Sequence, residues 1–148
     1  MYKHILVATD GSKLSLKAVK TAVNLAASVG ARLSGLYVMP EYVPPIYGEA
    51  AVYIPVMTPK RFKEAVEKDA KAALAVVAKL ATASDVRVTA IKVMHAQPWA
   101  AIVGTARSKS CDLIVMASHG RRGLAGLLLG SETTKVLTHS KHPVLVCR

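Results

Sequence analysis

Apolar residues form short continuous or alternating runs at five places along the chain, a pattern typical of β-strands. The runs cover residues 4–9, 32–39, 86–93, 112–118 and 143–148. The first and the fourth are apolar almost without interruption, as expected for strands that are covered on both faces. The third alternates between apolar and polar residues, which also favours a strand.

Between these runs, apolar residues recur every three or four positions, which predicts four helices. The helices cover residues 14–30, 60–83, 98–109 and 131–140. Gly30 is expected to end the first helix, and Pro59 and Pro98 to mark the starts of the second and the third. Because strands and helices alternate throughout, the crossovers should be right-handed and the sheet parallel. We therefore expect an α/β fold with helices on both faces of a parallel sheet, built by residues 1–148 as a single domain.

The stretch 40–59 differs in composition from the rest of the chain, with five prolines and three tyrosines. It is longer than the usual connection between two elements. Two interpretations stand side by side, a lid or partner surface and a plain disordered connection.

The composition indicates an aliphatic core and no membrane-spanning segment. Hydrophobic residues make up 52% of the chain and aromatic residues only 5%. No apolar run approaches the roughly 18 residues of a transmembrane helix, and no signal-peptide pattern follows Met1. The two cysteines, Cys111 and Cys147, match neither a metal-site spacing nor a disulfide framework. These features predict a reduced, cytoplasmic environment.

The net charge of +11 first suggests an anionic partner, such as nucleic acid, a membrane surface or a small anion. However, the basic residues are spread along the sequence, with no run of five like charges and no interleaved aromatic residues. We therefore expect most lysines to lie on solvated helix faces, and neither nucleic acid nor a membrane to be a partner.

A cluster of glycines follows the fourth predicted strand, in the sequence MASHGRRGLAGLLLGS at 116–131. Ordering glycine is costly, so such a cluster marks backbone that turns sharply or approaches something closely. A second loop, ATDGS at 8–12, follows the first strand. Ligands of open parallel sheets bind beyond the carboxyl ends of the strands, although neither loop matches a P-loop or a dinucleotide fingerprint. The two loops together predict an anion site of nucleotide size.

Three segments resemble the universal stress proteins, and the similarity covers nearly the whole chain. They are YKHILVATDGS (2–12), LYVMP (36–40) and DLIVMASHGRRGLAGLLLGSETTKVLTHSKHPVLVC (112–147). Nucleotide-binding members of that family carry Gly, two residues, Gly, nine residues, and then Gly-Ser or Gly-Thr. Here Ala117 replaces the first glycine, while Gly120, Gly130 and Ser131 match the rest. A second departure is HAQP at 95–98, where the family often has Gly-x-Pro.

The resemblance implies a Rossmann-like mononucleotide-binding fold with five strands in the order 3-2-1-4-5. It further implies that the loop after the first strand contacts a nucleoside. Asp10 would hold the ribose hydroxyls through charge-assisted hydrogen bonds, Ala8 and Thr9 would line the nucleoside, and Val38 would offer an apolar wall to adenine. From the residues alone, Asp10 equally suits an Asx turn or a helix cap, and Val38 equally suits ordinary burial.

By the same resemblance, Gly120, Gly130 and Ser131 would donate backbone N–H groups to phosphates at the positive end of the fourth helix. The alternative for Ser131 is a plain helix cap, and Arg121 either neutralises phosphate charge or faces solvent. Ala117 suits the site if its φ is negative and distorts it if a positive φ is needed. The implied binding set also includes Gly123, Glu132 and Thr133.

Two functions follow from these features. The first is an ATP-binding stress-response or signalling module, with Mg²⁺ or Mn²⁺ accompanying the nucleotide. Hydrolysis is expected to be slow or absent, since no Walker-type lysine or evident general base is present. The second is a scaffold of the same fold that acts through protein contacts without nucleotide, which the substitution at Ala117 favours.

Two further expectations concern single features. His119 has no visible catalytic partner, so a hydrogen-bonded loop residue is favoured. By resemblance, the last strand lies at an edge of the sheet and pairs with its copy in a homodimer.

Overall fold

Strands and helices alternate along the chain in the predicted order. The computed structural model describes residues 1–44, 57–121 and 129–148. Within them lie β1 (His4–Ala8), α1 (Lys13–Val29), β2 (Arg32–Met39), α2 (Pro59–Ala83), β3 (Val88–Met94), α3 (Pro98–Ser108), β4 (Leu113–Ala117), α4 (Ser131–His139) and β5 (Val144–Cys147).

The five strands form one parallel sheet in the order β3-β2-β1-β4-β5. The predicted α/β class and the strand order implied by the resemblance are therefore both confirmed. The chain winds from β1 towards β3 on one side and from β4 to β5 on the other. The winding reverses between β1 and β4, and a crevice at such a reversal is where open parallel sheets bind ligands.

Local chemistry sets the helix boundaries. The Ser12 side chain caps α1 by accepting the N–H of Ser15, and Gly30 ends that helix with a left-handed φ of +67°. Thr58 caps α2 in the same way, with Pro59 as the first helical residue. β3 begins two residues after the predicted position 86, because Val86 donates its N–H to a carbonyl of the last turn of α2 instead.

The helices cover the two faces of the sheet in pairs. On one face α1 and α2 bury the side chains of Ile5, Val7, Val19, Leu33, Val77 and Val115. On the other face α3 and α4 bury those of Leu6, Leu36, Ile102, Ile114 and Val136. Successive residues of β1 point to opposite faces, which explains why this strand is apolar without interruption. Within the described residues, no helix combines the length and apolar character needed to cross a bilayer.

Both cysteines are free and serve packing. Cys111 is buried against the α3 and α4 face, and this burial raises the pKa of its thiol to about 11. Cys147 is half-buried against the α1 and α2 face. A thiol with a raised pKa is a poor nucleophile, so Cys111 serves as a core residue.

Candidate functional site

The loop after β1 is held by a compact network of hydroxyl groups. The Thr9 hydroxyl lies 3.0 Å from that of Ser15 and accepts the N–H of Gly11 at 3.2 Å. Asp10 Oδ1 accepts the N–H of Ser12 at 2.9 Å, which makes an Asx turn. Of the two local roles considered for Asp10, the turn is therefore present, whereas Ser12 is the residue that caps α1.

Asp10 also joins this loop to the loop after β4. Its Oδ2 accepts the backbone N–H of Arg121 at 2.8 Å. Gly120 lies so close that a Cβ there would stand 2.8 Å from the same oxygen. At position 120 the two loops thus approach each other too closely for a side chain. This is one of the two reasons for which the sequence analysis expects a glycine there.

Hydrogen bonds keep the Asp10 carboxylate ionised. Burial by itself would raise its pKa, but the donors around it outweigh burial and hold the pKa below the ordinary value. The N–H groups of Ser12 and Arg121 each donate one hydrogen bond to Asp10, and the nearby hydroxyls of Ser12 and Ser15 lower its pKa further. Each carboxylate oxygen has two lone pairs, so Asp10 retains the capacity to accept further hydrogen bonds from a ligand.

The start of α4 is built without a side-chain cap. Gly130 occupies the cap position with an extended backbone, φ −75° and ψ 161°, and makes no side-chain hydrogen bond to the helix. Ser131 is the first helical residue rather than the cap. Among the residues that the structure describes, no side chain accepts an N–H of the first turn of α4, and the positive end of the helix dipole favours an anion there.

Gly130 packs directly on the chain after β4. Its N–H donates to the carbonyl of Ser118 at 2.7 Å, and a Cβ at Gly130 would lie 3.2 Å from the Cα of His119. The start of α4 is thereby held beside the Gly120 turn. Gly123, the remaining glycine of the predicted set, lies outside the described residues.

Two predicted residues of α4 have side chains that stabilise the fold. The buried Thr133 hydroxyl donates to the carbonyl of Ala117 at 3.0 Å, fixing α4 to the end of β4. The Glu132 carboxylate accepts the N–H of Trp99 at 2.9 Å in the first turn of α3 and pairs with Lys135 at 3.4 Å. Only the backbone N–H groups of these residues remain oriented for a ligand at the helix start.

Ala117 is an ordinary residue of a buried strand. It is the last residue of β4, pairs with Cys147 of β5, and is 7% exposed. Its φ is not positive, since among the described non-glycine residues only Asp85 and Ser110 have positive φ. The backbone conformation at position 117 therefore does not require glycine, and the Ala117 methyl group causes no backbone strain.

Ala8 and Val38 are half-buried and pack against the core on the α3 and α4 face, as does Trp99. Arg121 extends to the other face, where its guanidinium pairs with Asp69 at 3.3 Å with both side chains half exposed. The structure thus brings Asp10, Gly120 and the Arg121 backbone together. It places Val38 on the opposite side of the sheet from the Arg121 guanidinium.

A feature not identified from the sequence is a cavity of about 260 Å³ between α1 and α2. Its lining includes Ser12, Leu16, Val19, Asp69, Val76 and Arg121. Asp69 belongs to no motif, and only the helical spacing of Leu16 and Val19 signals that an apolar surface is present. The cavity lies behind the β1 loop and does not include Ala8 or Val38.

The surroundings of His119 and the positions of the acidic residues bear on catalysis and on metal binding at this site. The Ser118 hydroxyl lies 3.2 Å from Nδ1 of His119, which fits the expected hydrogen-bonded loop residue. Across residues 1–44, 57–121 and 129–148, no three His, Cys, Asp or Glu side chains lie close enough to hold a metal ion. The described protein groups by themselves therefore do not fit a resident metal.

Comparison with known proteins shows which family has this sequence and architecture. The sequence model of the universal stress protein family matches residues 1–148. A universal stress protein of Methanocaldococcus jannaschii is 34% identical over 148 residues, which cover all of this chain and 83% of that protein. The solved structure of MJ0577 from the same organism is 27% identical with a TM-score of 0.80, covering 99% of this chain and 96% of that one.

A universal stress protein solved in complex with cAMP is also similar. It is 30% identical with a TM-score of 0.71, and the match covers 99% of this chain and 97% of that chain. The match to the family model over the full length, together with these relatives, shows that this chain belongs to the universal stress protein family.

Proposed function

We propose that this protein binds ATP at the carboxyl ends of β1 and β4. The observation that carries the proposal is the hydrogen bond from the Arg121 N–H to Asp10, which joins two loops at the reversal of the sheet. Gly130 packs on His119 next to this junction and opens a helix without a side-chain cap. A carboxylate and a helix start are thus placed side by side at the position where open parallel sheets bind nucleotides.

Each end of this site suits one part of a nucleotide. The ionised Asp10 carboxylate accepts hydrogen bonds from ribose hydroxyls on its remaining lone pairs. The N–H groups of Ser131, Glu132 and Thr133 at the start of α4 are the donors for phosphate oxygens. Val38 and Ala8 offer half-buried apolar surface for adenine.

The cAMP complex of a 30% identical relative supports an adenine nucleotide as the ligand class. We favour a triphosphate because the start of α4 provides positive potential for phosphate groups. A divalent ion would be carried by the nucleotide phosphates, since the described residues do not build a metal cage. Hydrolysis is expected to be slow, because the chain has no Walker-type lysine and His119, the histidine beside the helix start, contacts the Ser118 hydroxyl rather than a carboxylate.

The alternative of a scaffold without nucleotide rested on Ala117. The φ of Ala117 is not positive, so the argument from backbone distortion does not apply, and this supports the proposal of nucleotide binding.

Isothermal titration of the full chain with ATP, ADP, AMP and cAMP tests the proposal, each with and without Mg²⁺. We expect one site per chain and weaker binding of ADP and AMP than of ATP. Mass spectrometry of nucleotide released from the purified, undialysed protein should identify the same ligand. Absence of heat with every nucleotide at millimolar concentration would overturn the proposal, and preference for cAMP or AMP would replace ATP as the ligand.

A further inference from the structure

The charge of the described helices is concentrated on one face of the sheet. Helices α1 and α2, which share a face, carry nine basic and three acidic residues. Helices α3 and α4 on the opposite face carry two basic residues and one acidic residue. The positive charge of the described helices is therefore distributed unevenly between the two faces of the sheet.

The basic residues of α1 form a single row. Lys13, Lys17 and Lys20 follow each other at spacings of four and three residues, so they lie along one side of the helix about 5–6 Å apart. All three are exposed, and α1 contains no acidic residue. The buried positions of α1, such as Ala22 and Ala26, lie on the opposite side and face the sheet.

Helix α2 presents a second row. Arg61, Lys68 and Lys79 are separated by seven and eleven residues, which returns them to one side of the helix, and all are exposed. Small or apolar residues lie exposed between the charges, including Ala72 and Val76, and the side chain of Val76 borders the cavity between the two helices.

Two of the three acidic residues of α2 are bound elsewhere, and the third, the exposed Glu64, lies outside ion-pair distance of the described cations. Glu67 pairs with Lys92 of β3, and Asp69 pairs with Arg121 after β4, so both are bound to cations outside the two helices. Among the described residues, none of the nine basic side chains of α1 and α2 takes part in an ion pair. The cations of this face are therefore available to an external anion.

We propose that the α1 and α2 face is a peripheral docking surface for an anionic phospholipid bilayer. Two helices lying side by side on a sheet spread their cations over a broad surface. Eight of the nine basic residues are lysine, a point charge suited to diffuse attraction, whereas specific phosphate recognition prefers the fork of arginine. Exposed Ala72 and Val76 between the rows suit the headgroup boundary and provide no platform for stacking bases.

This surface differs from the sequence expectation that no membrane is a partner. The basic residues are separated along the chain, but α1 and α2 pack side by side and place them on one surface. Such an array acts only within about 10 Å of the bilayer at 0.1 M salt, so its effect is sensitive to salt. Each lysine near an anionic surface raises partitioning by roughly five-fold, and three together by about 100-fold.

Sedimentation of the full chain with lipid vesicles tests the proposal. The vesicles contain phosphatidylcholine alone or with about one third phosphatidylserine, at 0.1 M and 0.5 M salt. The test variant combines Lys17→Gln, Lys20→Gln and Lys68→Gln, which leaves the residues of the nucleotide site intact. The matched control combines Arg107→Gln, Lys109→Gln and Lys141→Gln, which removes the same charge from exposed positions elsewhere.

We expect binding to phosphatidylserine vesicles at low salt only, a loss of about 100-fold in the test variant, and less than a three-fold change in the control. Equal losses in both variants would show that net charge alone drives binding and would overturn the docking surface. Failure of the parent protein to bind the anionic vesicles would also overturn it. A 30-base-pair DNA duplex that binds where vesicles do not would assign this face to nucleic acid instead.

Discussion

Asp10 and Arg121 are 111 residues apart in the sequence, yet the carboxylate of the first accepts the backbone N–H of the second at 2.8 Å. This one hydrogen bond connects the loop after β1 with the loop after β4. It also fixes the position of Gly120, which has no room for a side chain beside Asp10. The geometry of the proposed nucleotide site therefore depends on a contact that serves the fold as well.

Replacing Asp10 with alanine is expected to lower both stability and nucleotide affinity. The variant leaves the N–H groups of Ser12 and Arg121 without their acceptor, which costs about 1–3 kcal/mol in the free energy of unfolding. Urea unfolding and ATP titration measure the two effects. Asp69→Ala is the matched control, since it removes only a half-exposed ion pair with Arg121 and should cost less than about 1 kcal/mol. Equal effects of the two variants would contradict the role of Asp10.

Gly120→Ala tests the close approach itself. The new Cβ would stand 2.8 Å from Asp10 Oδ2, so the carboxylate must move away from Arg121. We expect a loss of about 1–2 kcal/mol in stability and at least ten-fold weaker ATP binding. Gly104→Ala in α3 has open space around its Cβ and should be neutral or stabilising by up to about 1 kcal/mol. If Gly120→Ala behaves like this control, the loops are not held as described.

Gly130→Val is expected to abolish ATP binding while the circular dichroism spectrum stays close to that of the parent. The backbone at Gly130 has φ −75°, which valine accepts readily, so the effect is not one of backbone strain. The reason is crowding, because a Cβ already lies 3.2 Å from the Cα of His119 and a branched side chain would fill the start of α4. Ser131→Ala, which removes only a hydroxyl, should reduce affinity by less than ten-fold. Retained ATP binding in Gly130→Val would move the site elsewhere.

From the burial of His4 we predict how the free energy of unfolding depends on pH. Its side chain is 8% exposed and Nε2 lies 2.8 Å from the Ser34 hydroxyl. Burial, assisted by the Arg32 cation, lowers the pKa of His4 below its ordinary 6.5. The unfolded chain therefore binds the proton first, so stability falls as the pH drops below 6.5 towards the folded-state pKa, with a slope of at most about 1.4 kcal/mol per pH unit.

Urea unfolding of the parent and of His4→Gln between pH 7.5 and pH 5.5 checks this sign. The parent should lose more stability than the variant over that range. A difference between the two proteins that stays constant with pH would show that His4 keeps an ordinary pKa.

We predict that the protein forms a homodimer through the outer edge of β5. Pro143 and Cys147 direct their carbonyls to β4, so the alternate residues Val144 and Val146 direct their backbone groups outward from the sheet. Leu145 is 37% exposed, and an apolar edge of this kind is usually covered or paired. Light scattering should give about twice the 15.7 kDa mass of the chain.

Val146→Pro should shift the mass towards the monomer, since proline removes one outward N–H without breaking the pairing with β4. Val146→Thr keeps that N–H and should remain dimeric. A parent protein that is monomeric at high micromolar concentration would refute pairing through β5.

The sequence by itself determined the order and type of the elements. Apolar periodicity is a local property, and so are the caps, which is why Gly30 and Pro59 marked the ends of helices correctly. The largest shift of a strand start, at Val88, depends on a turn that closes α2 and is not visible in the apolar pattern. The motif residues at both loops are likewise visible in the sequence, because they cluster within a few positions, and their role in binding stays a prediction.

The tertiary structure decided which of these residues meet. Asp10 suited a turn and a ligand contact equally until the fold placed Arg121 beside it, because a contact across 111 residues depends on the pairing of β1 with β4. Ala117 was ambiguous until its place in a strand fixed its backbone. The number of charges can be counted in the sequence, but only the packing of α1 beside α2 placed Lys17 and Lys68 on one surface, since surface position depends on how distant segments pack.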